Sequence, residues 1–201
     1  MKISDIKKQV KTEGRYSIYI DGKFSFGLSE LGLINSGLRI GTELTTEQLD
    51  ELKADAHIDK IYNMALGLIA RRPRSRWEIE EYLKRKGLER DEISQVCERL
   101  SRYIDDLEFA RAWVSNRRLL KNMSSRKLRL ELRAKRVDDE TVSQVLAEDE
   151  TDELDVLRAE VLKRRKQTRY QDDQKLMAYL ARQGYGYDDI KSVLSELADN
   201  R

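Results

Sequence analysis

Tyr103-Ile104-Asp105-Asp106-Leu107-Glu108-Phe109-Ala110-Arg111-Ala112-Trp113 decides how the rest of the chain is read. Asp105 has the character of an N-cap, whose side chain accepts from first-turn amides that lack a partner in the helix. Glu108 stands three residues on, where a carboxylate reaches back to the cap amide in a capping box. Ile104 and Phe109 fit the hydrophobic staple that sets the angle of chain entry. Phe109 and Trp113 are four apart, so their rings share one helical face. The adjacent carboxylates of Asp105 and Asp106 point about 100° apart on a helix, which is poor geometry for a shared metal or an acid–base pair. A helix starts here, and helical sequence already lies upstream.

Outward from this joint an internal repeat appears. Ile79, Leu83, Gly87, Leu88, Ile93, Val96 and Cys97 match Leu128, Leu132, Arg136, Val137, Val142, Val145 and Leu146 at a shift of 49. A shift of 97 brings them onto Leu176, Leu180, Gly184, Tyr185, Ile190, Val193 and Leu194. Caps repeat too: Ser75, Ser124 and Asp172 fall at or within one residue of the same place, and Ser75 with Glu78 reads as a capping box. The spacing predicts three modules of three helices, 57–104, 105–150 and 151–201, with Tyr103–Trp113 joining the first two. A unit of about 48 residues buries little apolar surface alone, so stacking into an elongated, curved array is expected. The acidic run Glu148–Glu153 reads as a solvated module boundary, there as a helix N-terminus complement or for plain solubility.

The N-terminal 44 residues have a different texture. Tyr16, Ile18 and Ile20 alternate before Asp21-Gly22, and Phe24, Phe26 and Leu28 alternate after it. This predicts a hairpin with a type I′ turn, and Ile3–Val10 offers a third strand. Ser29–Asn35 reads as a short helix. From Thr45, which makes a capping box with Gln48, apolar residues recur with helical period towards Arg72, as one helix or two; 45–56 reads as a connecting helix and Pro73 as the stop. The fold class is therefore mostly α, three tandem three-helix repeats behind a small β-rich extension.

Composition excludes several functions. With 38% charged and 39% hydrophobic residues, no 18-residue apolar run and no signal peptide, the sequence reads as cytoplasmic. His57 is the sole histidine and Cys97 the sole cysteine, on the apolar stripe Ile93/Val96/Cys97/Leu100. No triad, two-His metal motif, Cys/His cluster or phosphate-cradling loop is present, so no enzyme, metal or cofactor is expected. His57 reads as a surface spectator.

The 39 Lys and Arg against 37 Asp and Glu leave +2, with the excess in residues 57–104, where 11 basic face 8 acidic residues. Distribution says more than the total. Arg71, Arg72, Arg74 and Arg76 precede the middle helix of the first module; Arg117, Arg118, Lys121, Arg126 and Lys127 do so in the second; Lys163, Arg164, Arg165, Lys166 and Arg169 in the third. Cations favour helix C-termini, which is one reading. The other is a repeated basic edge for a polyanion or an acidic protein groove. Trp77, Tyr82, Tyr170, Tyr185 and Tyr187 are aromatic candidates for base stacking, although helical spacing explains Tyr82 as core, Tyr185 aligns with apolar Leu88 and Val137, and no base-reading site is built from them.

Tyr103-Ile-Asp-Asp-x-x-Phe-Ala-Arg-Ala-Trp-Val114 resembles the central signature of the RecX family, regulators of the bacterial recombinase RecA. Ala65-x-x-Leu68-x-x-Arg71, Ser75-x-x-Glu78-Ile79 and Leu83-x-x-Lys86-Gly87 resemble its first repeat. Asp21-Gly22-Lys-Phe-x-Phe-Gly27-Leu28 resembles an N-terminal extension of some members. Arg102 stands where the signature usually has Gly, and Arg136 where the second repeat usually has Gly. The resemblance implies a monomeric, non-catalytic protein of DNA repair and the SOS response. It would bind the RecA–DNA filament, in its groove or at its end, and also touch single- or double-stranded DNA. There it would modulate, chiefly inhibit, ATP hydrolysis, strand exchange and co-protease activity.

Overall fold

A computed structural model gives the structure of residues 1–199; Asn200 and Arg201, the last two of the 151–201 module, lie outside the described residues. Three strands, β1 (Ile3–Lys8), β2 (Arg15–Ile20) and β3 (Lys23–Ser29), form an antiparallel sheet in chain order. Asp21 and Gly22 have φ of 48° and 81°, both positive as a type I′ turn requires. Ile18 pairs with Phe26 but Tyr19 with Phe24, so Ser25 bulges. Ile3, Ile18, Ile20, Phe26 and Leu28 form a core with Leu49 and Ala56 of α2 (Thr46–Ile69). Between them α1 (Glu30–Ser36) is capped by Ser29. Buried Asp59 accepts from the Ser29 amide at 2.9 Å and its hydroxyl at 2.7 Å, tying α2 to the end of β3.

The period after Thr45 resolves into one helix rather than two. Thr45 and Gln48 make the expected capping box, and α2 runs unbroken to Ile69, three residues short of Arg72. Its first half faces the sheet, while Ile61 and Ala65 join a second core with Ile79, Leu83, Leu88, Val96, Cys97 and Leu100. That core is completed by α3 (Arg76–Arg85) and α4 (Arg90–Arg99). By compactness, residues 1–72 and 78–104 form one unit, and 73–77 with the rest of the chain form the other.

The second unit holds α5 (Asp106–Leu120), α6 (Ser125–Ala134), α7 (Asp139–Glu148), α8 (Glu153–Arg165), α9 (Asp173–Arg182) and α10 (Tyr187–Asp199). Phe109, Val114, Leu128, Leu132, Val142 and Val145 centre one core; Leu157, Val161, Leu176, Leu180, Ile190 and Val193 centre the other. The aligned apolar positions of all three repeats are thus buried or half-buried. Each middle helix also ends alike: Leu88, Val137 and Tyr185 donate to the carbonyls of Leu83, Leu132 and Leu180 at 3.2–3.3 Å. This is the Schellman closure, which needs a left-handed residue just before the donor. Gly87, Arg136 and Gly184 supply it, at φ of 86°, 59° and 93°. Arg136 is accommodated without rebuilding the turn.

The opening stretch is half as expected. Asp105 accepts from the amides of Leu107 at 2.9 Å and Glu108 at 3.0 Å. Glu108 is exposed and does not complete the capping box among the described residues. Ile104 packs against the first repeat's core and Phe109 sits in the second's, its ring 5.5 Å from that of Trp113.

Candidate functional site

The basic clusters divide into cations already engaged inside the fold and cations left to solvent. Arg72 pairs with Glu78 at 3.1 Å. Arg117 pairs with Glu131 at 2.6 Å and stacks on Trp113, 4.3 Å from its ring centre. Arg118 is the deepest: it reaches Asp149 at 2.7 Å, the Met123 carbonyl and the Ser125 hydroxyl, and both partners of the ion pair are 9% exposed. Arg164 pairs with Glu160 at 2.7 Å over the ring of Tyr179, and Arg165 bonds Asp173 and the carbonyls of Tyr170 and Gln171. Arg74 is half-buried. Arg71, Arg76, Lys121, Arg126, Lys163, Lys166 and Arg169 are exposed. Lys121, Arg126, Lys163 and Lys166 have no ion pair among the described residues. Arg118 is therefore a structural cation, and Arg117, Arg164 and Arg165 are largely committed to helix packing.

The acidic residues at the start of each repeat explain part of this. Asp105 caps α5; its neighbour Asp106 instead accepts from the Arg76 amide, the first residue of α3, at 2.8 Å. The next joint repeats the device. Asp152 caps α8, and Glu153 accepts from the amide of Ser125, the first residue of α6, at 3.1 Å and from its hydroxyl. In each pair the first carboxylate caps its own helix and the second caps the middle helix of the preceding repeat. The run Glu148–Glu153 thus complements helix N-termini and nearby arginines, while Glu148, Glu150, Thr151 and Asp152 stay exposed. Glu148 binds Arg111 at 2.8 Å, Asp149 holds Arg118, and the last two residues are caps. Hydrogen bonds from Arg111 and then Gln144 hold the Glu148 carboxyl down at about 2.

Between the second and third repeats lies a buried polar network. Glu160, 3% exposed, accepts from Arg164, the Tyr179 hydroxyl at 2.8 Å and Asn122 at 3.1 Å. Burial alone would raise this carboxyl, but the three donors hold it below its ordinary value. Burial and then Glu160 push the Tyr179 hydroxyl up to about 12. Ser124 donates to the Gln183 carbonyl at 2.6 Å, and Lys127 to its side chain at 2.6 Å.

Of the aromatic candidates, Tyr170 and Tyr185 are buried, and Trp77 and Tyr82 are half-buried with lysine ammonium groups near their rings. Tyr187 is 65% exposed. Among the described residues no group of three His, Cys, Asp or Glu is placed to hold a metal ion, and no helix is long and apolar enough to cross a membrane. Cys97 is a buried thiol.

Against known proteins, four family models match in chain order: the RecX N-terminal domain at residues 1–45, then the first, second and third RecX three-helix domains at 62–100, 105–146 and 150–194. The regulatory protein RecX of Bacillus subtilis strain 168 is 31% identical over 202 residues, 97% of this chain and 76% of that protein. The chain belongs to the RecX family. A RecX of Listeria monocytogenes strain HCC23 is likewise 31% identical, over 98% of this chain and 76% of its own. A crystal structure of a regulatory protein RecX covers 96% of this RecX-family chain with a TM-score of 0.72 at 25% identity, and 98% of its own length is matched. The RecX structure from Lactobacillus salivarius, 24% identical, shares the fold over 71% of this chain and 97% of its own at a TM-score of 0.58.

In this RecX chain Asp106 stands within the signature, where helical spacing alone assigns it no work. The signal was available: Asp-Asp at 105–106 recurs as Asp-Glu at 152–153, at the same point of the next repeat.

Proposed function

We propose that this protein is a non-catalytic regulator that binds the RecA–DNA filament and lowers its ATP hydrolysis, strand exchange and co-protease activity. It acts as a cytoplasmic monomer in DNA repair and the SOS response, without a cofactor. The observation that carries the reading is the ordered succession of four RecX domains along one chain. Exposed Lys121, Arg126, Lys163, Lys166 and Arg169 supply attraction to filament DNA or to acidic protomer surfaces.

The test is RecA ATPase on single-stranded DNA with substoichiometric purified protein. Inhibition is expected; no change at any ratio would overturn the reading. The same exposed cations favour a second reading, a stand-alone nucleic-acid-binding repeat protein. It expects tight DNA binding without recombinase, falling steeply between about 50 and 200 mM salt, and no effect on a preformed filament.

A further inference from the structure

The N-terminal unit contains an open groove of about 670 Å³ between β3 and α2, and none of the basic clusters lines it. Along α2, Lys53, His57, Lys60 and Met64 follow one another at i, i+4, i+7 and i+11, a single helical face, and all four are exposed. Phe24 lines the groove from β3. It is 59% exposed and meets Tyr19 edge to face at 6.1 Å, so much of the ring is left to solvent. Arg15 contributes from β2, held by the Gly27 carbonyl at 3.0 Å.

Charge makes the groove selective. No Asp or Glu lines it, although the chain carries 37 of them, while two lysines and an arginine do. Asp50 lies 3.8 Å from Lys53, but the two side chains are 69% and 46% exposed, a pair worth little in water. Asp59 sits 4.0 Å from Arg15, the two side chains 12% and 16% exposed, so Arg15 is balanced inside the fold and the two lysines carry the groove's charge. A positive channel beside an exposed ring is the combination that holds single strands: phosphates follow the cations and an unpaired base stacks on the π face. In a duplex that face of the base is covered by its neighbours.

We propose that this groove is a single-stranded DNA site, with phosphates on Lys53 and Lys60 and a base stacked on Phe24. His57 stands between the two lysines on the same face, along the path of the backbone. Lys53 and Lys60 are about 10 Å apart along the helix axis, which leaves room for a nucleotide between them.

The test titrates the full chain into labelled oligo(dT), without recombinase, and reads anisotropy at several salt concentrations. Lys53→Glu with Lys60→Glu should weaken binding about tenfold or more and reduce the log–log salt slope by about 1.4, two phosphates at about 0.7 each. Phe24→Leu keeps an apolar side chain but removes the π face. It should weaken oligo(dT) about fivefold or more and leave the salt slope and blunt-duplex binding unchanged. All three side chains are exposed, so thermal melts should match the parent. Unchanged affinity and slope overturn the proposal. Equal loss on duplex DNA from Phe24→Leu also overturns it. So does a Glu-rich peptide that binds with the same dependence on Phe24, Lys53 and Lys60 while oligo(dT) does not, which would assign the groove to an acidic protein segment. Because no filament is present, the outcome is independent of RecA regulation.

Discussion

Gly87, Arg136 and Gly184 hold one left-handed position in three repeats, and the residue there has different consequences in each. A Cβ at Gly87 meets nothing within 4 Å, so Gly87→Ala carries only the left-handed penalty, about 1 kcal/mol. At Gly184 a Cβ would also stand 2.6 Å from the Ser124 hydroxyl, which bonds the Gln183 carbonyl, so Gly184→Ala should be clearly worse in urea unfolding. Arg136→Gly should stabilise by about 1 kcal/mol, since the strain is already present. Arg118 shows the limit of reading single residues. In sequence it is one more cation of a cluster, yet its pair with Asp149 is 9% exposed on both sides. Arg118→Ala strands a buried carboxylate and should destabilise by about 3 kcal/mol, while Arg118→Ala with Asp149→Ala costs less than the two single losses added together. Charge type and spacing were legible at both positions. Burial was not, because it depends on a partner 31 residues away.

Helix starts were the most legible elements, because a cap and its amides lie within three residues. Thr45, Ser124, Asp105 and Asp172 all cap as expected. The clasp between repeats was not legible in the same way, since Asp106 and Glu153 cap helices some 30 residues upstream. Asp106→Ala should lose about 1 kcal/mol and Asp106→Asn much less, because an amide oxygen still accepts from Arg76; denaturant midpoints distinguish them. The buried carboxyls set an acid response. Glu160 and Asp149 both titrate lower in the fold than their ordinary values of 4.5 and 3.8, despite burial. Their contribution is complete above those values and is lost as pH falls through the lower folded ones. Asp106 works in the opposite sense, raised by burial more than the Arg76 amide lowers it, so its protonation offsets part of the loss. The urea midpoint should therefore fall below about pH 4.5, and Glu160→Gln should flatten that limb.

For the molecule as a whole, the period and the hairpin turn made the fold class readable: three three-helix repeats behind a β-rich extension. What sequence left mixed was the set of available cations, because some of each cluster, Arg72, Arg117, Arg118, Arg164 and Arg165 among them, is spent inside the fold. Replacing Lys121, Arg126, Lys163 and Lys166 by Glu should abolish filament inhibition with the melting temperature unchanged. The same changes at Arg164 and Arg165 should lower the melting temperature, because they break the contacts to Glu160 and Asp173. The acidic pairs carry a further consequence for how such a chain is made. A ribosome releases Arg76 and Ser125 about 30 residues before the carboxylates that meet their amides. The middle helices of the first two repeats thus emerge with one open amide, which the opening residues of the next repeat close. Growth from N- to C-terminus finishes the first and second repeats with the first words of their successors, so a nascent chain stalled between repeats is held back by the missing clasp.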